Sequence, residues 1–130
     1  MASIFTKIIR GEIPSYKVAE NDKFYAFLDI SPLQKGHTLV VPKQEIDYFF
    51  DIEDDLMKDY ICFAKKIAVA IKKAYPCEKV GMTVIGLEVR HSHIHLVPMH
   101  KEGDLNFANE KLSFTEDEFK EIASNIAKNL

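Results

Sequence analysis

A chain of 130 residues with 47% hydrophobic and 28% charged residues has the balance of one folded domain, 1–130, and excludes a disordered segment. Its formal charge of −3 excludes the global basic footprint of a nucleic-acid binder. Two cysteines, Cys62 and Cys77, exclude a disulfide framework, and no apolar run has the length of a membrane span or a signal-peptide core, so a cytoplasmic domain without nucleic-acid or membrane partners is expected.

Ile4 to Ile9 is a short apolar stretch ended by Gly11 and Pro14, which predicts one or two helical turns. Tyr16-Lys17-Val18-Ala19 predicts a strand and Glu20-Asn21-Asp22 a turn. Phe24 to Ile30 predicts a second strand, stopped by Ser31-Pro32. A turn from Pro32 to Gly36 leads into a third, His37 to Pro42. Leu56, Tyr60, Phe63, Ala64, Ile67, Ala68, Ile71 and Ala74 recur at three-and-four spacing. They predict a long helix from Asp51 to Tyr75, stopped by Pro76. Val80 to Val89 predicts a fourth strand, kinked or bulged at Gly86, and His91 to Val97 a fifth, closed by Pro98. Thr115-Glu116-Asp117-Glu118 predicts a capping box that opens a last amphipathic helix within 113–130, carrying Phe119, Ile122, Ala123, Ile126 and Leu130. Three strands, a helix and two more strands favour an α+β domain. It has an antiparallel sheet of about five strands, with the long central helix and the C-terminal helix packed on it.

Strand side chains alternate, so His91, His93 and His95 share one face while Ser92, Ile94 and Leu96 take the other. Three imidazoles in a row are costly to bury without polar partners, and His37 heads a strand of its own. A solvated polar face, a metal site and a nucleophilic site all fit such a row. A metal site adds a carboxylate, a thiolate or partners behind the ligands, and none is obviously spaced here. In a nucleophilic site one imidazole attacks while its neighbours fix its tautomer, bind oxyanions and assist the leaving group.

The run His91-Ser92-His93-Ile94-His95-Leu96-Val97 resembles the signature of the histidine triad family of nucleotide hydrolases and transferases. Two further segments, in the family's order, resemble it as well: Ile4 to Pro14, and Phe27 to Pro32 followed by Gly36 to Lys43. Together they cover roughly residues 3 to 98 and lie nearest the Hint-like nucleoside phosphoramidases. The resemblance implies a reaction on a purine nucleoside phosphoramidate with no cofactor. His93 would be the nucleophile and His95 would contact the α-phosphate and leaving group. His91 would hold the site's geometry and the phosphate, and His37 would support the triad. Asp29 would accept bonds from the ribose hydroxyls. Ile4, Phe5, Ile8, Phe27, Leu28 and Ile30 would form the slot for the base, with Gly86 at the family's glycine. By composition alone those six apolar residues read as core, and Asp29 as a turn residue. The resemblance also implies a homodimer with sheets continued across the two-fold.

Two features depart from the family pattern. Many bacterial members hold a structural zinc with a Cys-x-x-Cys pair and a later His; here Ser3, Thr6 and the Gln44-Glu45 step occupy those positions, and no metal is expected. Leu87 and Glu88 stand where the family has Gln and Ser. An ionised Glu88 near the phosphate predicts slow phosphoramidate turnover, raised by Glu88→Ser. Dinucleoside polyphosphate cleavage and a nucleotide-binding sensor with little turnover are the alternatives. Residues 100–130 are expected to brace the dimer or to border the site.

Overall fold

The computed structural model describes all of residues 1–130. Ser3 caps the first helix, α1 (Ile4–Ile9): its hydroxyl accepts the Thr6 N–H at 3.0 Å, one of the donors a helix start leaves without a partner. Five strands follow: β1 (Lys17–Glu20), β2 (Phe24–Leu28), β3 (Thr38–Pro42), β4 (Lys79–Thr83) and β5 (Ile94–Met99). They form one sheet in the order β1-β2-β3-β5-β4, antiparallel at every step. The histidine-rich strand β5 is therefore interior to the sheet, and β4 is an edge.

Both faces of this sheet are apolar, because β2 and β3 are apolar at successive positions and successive side chains point opposite ways. Phe24, Ala26 and Leu28 of β2, Val40 of β3 and Ile94 and Leu96 of β5 enter the main core. The helices α2 (Asp54–Ala74) and α3 (Glu116–Ala127) cover that face with Tyr60, Ala64, Ile67 and Ile71 and with Phe119, Ile122 and Ile126. Tyr25, Phe27, Leu39 and Val41 face the other way, under Phe5 and Ile8 of α1. A six-residue helix has little stability alone. Burying two such side chains, at roughly 1.5–3 kcal/mol each, docks it.

Local chemistry accounts for the helix ends. Asp54 and Asp55 open α2 and Lys72 and Lys73 close it, each sign matched to the helix dipole. The expected capping box opens α3: the Thr115 hydroxyl accepts the Glu118 N–H at 3.1 Å, and the Glu118 carboxylate accepts the Thr115 N–H at 2.7 Å.

Three boundaries differ from the sequence expectation by three residues or more, the others by one or two. α2 starts at Asp54 and not at Asp51. Phe49–Asp51 is a separate 3-10 turn, because buried Ile52 is extended, at ψ 130°, as it enters the main core. β4 ends at Thr83, and the chain then leaves the sheet through Gly86 at φ +69°, a left-handed conformation that costs glycine little. β5 starts at Ile94 and not at His91. Its pairing with β3 runs from Thr38↔Leu96 to Val40↔Ile94, and the next residue of β3 on that side is Pro42, which has no N–H to give. Ser92 turns elsewhere, its N–H to the Ile46 carbonyl at 2.7 Å and its hydroxyl to the Asp47 carbonyl at 2.9 Å. His91 and His93 thus stand on the segment that leads into the strand. No helix is long and apolar enough to cross a membrane.

Candidate active site

The side chain of His91 is buried, with Nε2 2.7 Å from the Pro42 carbonyl oxygen. A carbonyl only accepts, so Nε2 carries the hydrogen. Nδ1, 2.7 Å from the Ser3 hydroxyl, then accepts the Ser3 proton. Burial lowers the His91 pKa, which keeps the ring in this neutral form.

His93 has the opposite tautomer. Its Nδ1 lies 2.8 Å from the His91 carbonyl oxygen, so Nδ1 carries the hydrogen and Nε2 presents a lone pair. Phe5 meets this ring edge-on, centroids 4.9 Å apart.

A third chain of bonds starts at a backbone amide. The Leu33 N–H donates to His37 Nδ1 at 3.0 Å, which places the His37 hydrogen on Nε2. That atom lies 3.0 Å from His95 Nδ1, so the hydrogen of His95 sits on Nε2. Burial first, and then the neighbouring His37 and His93, hold the His95 pKa down to about 3. Burial also lowers that of His37, against the pull of the Asp29 carboxylate, whose Oδ2 is 3.6 Å from His37 Nε2.

Nε2 of His93 and Nε2 of His95 have no partner in the protein, and no buried side-chain nitrogen goes unpaired, so both open to solvent. With ring centroids 4.9 Å apart, one ring offers a lone pair beside a neighbour that offers an N–H. That is an attacking atom next to a donor for an oxyanion or a departing atom. Asp29, His37 and His95 also hold metal-ligating atoms within 4.8 Å of one another. Their inner nitrogens, however, are committed to the Leu33–His37–His95 chain, and a cation would have to break it.

The other residues singled out in the sequence divide by face. Phe5, Ile8 and Phe27 lie on the triad side of the sheet. Leu28 does not: one residue on from Phe27, it points into the main core. Ile4 and Ile30 are exposed. Asp29 is a turn residue in part, since its Oδ1 accepts the Ser31 N–H at 2.8 Å, while Oδ2 faces His37. Gly86 lies in a groove with Tyr48, Phe50, Ile61, Met82 and Leu87, on the Ser92 side of the segment. Phe107 was not anticipated. It meets His95 edge-on at 4.8 Å and His37 at 6.2 Å. Its loop is held by Lys111, which donates to the carbonyls of Phe107 and Asn109, and by the Leu112 N–H, 2.9 Å from the Pro32 carbonyl. Its only sequence signal was an aromatic residue alone in a polar loop.

The sequence profile of the HIT domain matches residues 10–102. The chain belongs to the HIT family. Protein hit of Bacillus subtilis is 39% identical over 137 residues, spanning 98% of this chain and 93% of that protein. An adenosine 5'-monophosphoramidase of Saccharomyces cerevisiae is 41% identical over 102 residues, spanning 78% of this chain and 65% of the yeast protein. The crystal structure of a Hit-like protein from Bartonella henselae, 32% identical, superposes with a TM-score of 0.86, covering 98% and 96% of the two chains.

Two of the zinc-ligand positions of some HIT proteins carry groups here that do not suit zinc. Zinc takes thiolates, imidazoles and carboxylates. Ser3 and Thr6 offer neutral hydroxyls, and these bond to His91 and to Glu45. Glu88, at the family's Ser position, is exposed and borders a shallow depression at the N-terminal rim with Met1, Ser3, Ile4, Glu45 and Arg90. Its charge is solvated there, so the expected opposition to a phosphate at the triad loses its basis.

Proposed function

We propose that the chain hydrolyses purine nucleoside 5'-phosphoramidates through a covalent nucleotidyl intermediate on His93. The supporting observation is the His93 tautomer: its Nδ1 hydrogen is spent on the His91 carbonyl, which leaves Nε2 free to attack. In the first step Nε2 bonds to the α-phosphorus and the P–N bond breaks. The electron pair goes to the nitrogen, which leaves as an amine with one proton drawn from water. The His95 Nε2–H donates a hydrogen bond to the departing nitrogen or to a phosphoryl oxygen. In the second step water attacks the phosphorus, the Nε2–P bond breaks, and the nucleoside monophosphate leaves. One proton of that water replaces the one the amine took.

Asp29 Oδ2 is the acceptor for the ribose hydroxyls in this reading, and Phe5, Ile8 and Phe27 supply the apolar wall nearest the base. The yeast relative's activity supports the substrate class. The chain acts as a homodimer joined at β4. That edge strand has a free side, and exposed Met82, Ile61, Ile85 and Leu87 stand around it, an apolar edge that a second copy would cover.

The test is His93→Ala. Turnover of an adenosine phosphoramidate falls by roughly 10³-fold or more, because the attacking atom is gone, while binding of adenosine monophosphate changes little. Retention of more than a few per cent of the activity removes His93 from the role. A diadenosine polyphosphate assayed alongside identifies the alternative substrate if it is turned over faster.

A further inference from the structure

We propose that Glu45, Ser3 and Thr6 are positioning residues, a metal-free clamp that ties α1 to His91 and, through the His91 carbonyl, orients the nucleophile His93. The inference rests on the reading of His93 as the nucleophile, and it is carried by an ordered set of bonds. Glu45 Oε1 accepts the Ser3 N–H at 2.7 Å and the Thr6 hydroxyl at 2.7 Å. The Ser3 hydroxyl accepts the Thr6 N–H at 3.0 Å and gives its proton to His91 Nδ1 at 2.7 Å. His91 Nε2–H donates to the Pro42 carbonyl, and the His91 carbonyl accepts the His93 Nδ1–H.

Each hydroxyl has one short acceptor at 2.7 Å, Glu45 Oε1 for Thr6 and His91 Nδ1 for Ser3, with the Ser3–Thr6 and Thr6–His91 contacts longer at 3.2 and 3.4 Å. Thr6 spends its proton on the carboxylate, and Ser3 is left free to donate to the ring. A proton on His91 Nδ1 would reverse the Ser3 bond, so the network holds only with His91 neutral. Glu45 accepts both bonds on the one oxygen, Oε1. Its bonds to the Ser3 amide and the Thr6 hydroxyl hold its pKa down to about 2, so the clamp persists across the neutral range.

The geometric consequence reaches the nucleophile by two routes. One is the backbone: His91 is fixed at both ring nitrogens, so its carbonyl is fixed as well. The other is α1 itself, whose Phe5 packs edge-on against both His91, at 5.8 Å, and His93, at 4.9 Å. Zinc bound to thiolates would tie the same helix to the same histidine. Here three oxygen-bearing side chains do it, and Glu45 reaches Thr6 from 39 residues away in sequence and Ser3 from 42.

The experiment compares wild type with Glu45→Ala, Glu45→Gln and Ser3→Ala. It measures kcat and KM on an adenosine phosphoramidate and records the histidine ring nitrogens by long-range ¹⁵N NMR. Glu45→Ala is expected to lower kcat about tenfold with KM nearly unchanged, since a small misplacement of an attacking atom is costly. Glu45→Gln, whose amide oxygen still accepts both bonds, is expected to recover most of the rate. The NMR readout does not need turnover. Loss of the clamp shifts the His91 Nδ1 resonance and speeds exchange of the His93 Nδ1 proton, in Glu45→Ala and in Ser3→Ala. Unchanged kcat and unchanged His93 proton exchange in Glu45→Ala overturn the proposal. So does stoichiometric zinc in the wild-type protein, with activity removed by a chelator. A wild type inert toward every phosphoramidate overturns the functional reading instead, and the NMR comparison still decides the clamp.

Discussion

Three neighbouring imidazoles share a side chain and differ in the nitrogen that keeps its hydrogen. The Pro42 carbonyl sets it for His91, the His91 carbonyl for His93, and the Leu33 amide, through His37, for His95. Backbone groups cannot change protonation at neutral pH, so these tautomers are fixed before any ligand arrives. Glu88 shows the same dependence on surroundings. Its sequence position suggested a charge pressed against a phosphate, whereas it lies exposed at the N-terminal rim among Met1, Ser3 and Arg90. Glu88→Ser is therefore expected to change kcat/KM by less than about twofold at ordinary salt. A tenfold rise in the steady-state value would return Glu88 to the phosphate's side.

Elements decide what the residues can reach, and Phe107 is the clearest case. Its loop joins β5 to α3, and it reaches the buried histidine pair where the Leu112 N–H ties the loop to Pro32 and Lys111 closes the loop on its own carbonyls. The ring helps keep water from His95, whose pKa is held below its ordinary value of 6.5, at about 3. The sign follows from which state binds the proton. Between those two values the unfolded chain takes it up and the native state does not. The histidine's contribution is thus complete above 6.5 and is lost as pH falls toward 3, at up to about 1.4 kcal/mol per pH unit. Phe107→Ala should lower stability at neutral pH by about 1–2 kcal/mol through lost packing. Because it wets His95 and raises its pKa, it should also flatten the loss of Tm between pH 5 and pH 3. A variant with a slope as steep as wild type would show that Phe107 does not shield the pair. The strand pattern and the α3 capping box were legible in the sequence, because period and capping act over a few residues. The late start of β5 was not, because it depends on Pro42 of the neighbouring strand β3, a relation between distant segments, and the early end of β4 was not, because there the chain leaves the sheet toward Gly86. Leu28 was misplaced for a related reason: a motif gives neighbours along the chain, while the pleat sends Phe27 and Leu28 to opposite faces.

For the whole molecule, the sheet separates two tasks. The α2 and α3 side holds the larger core, and the α1 side holds the reacting groups, with β5 contributing to both. The edge strand β4 pairs with β5 on one side only, and it carries exposed Met82. In the proposed dimer, Met82→Glu should place like charges across the two-fold and leave a monomer by sedimentation velocity, with the far-UV spectrum unchanged. A dimer that survives the substitution joins elsewhere. The buried His37–His95 bond also gives the site a hydrogen that water does not reach directly. Moved into deuterium oxide, the protein should exchange the outer hydrogen of His95 at once and keep the inner one until the fold opens locally. The isotope composition of the pair would then record how long each molecule had stayed closed.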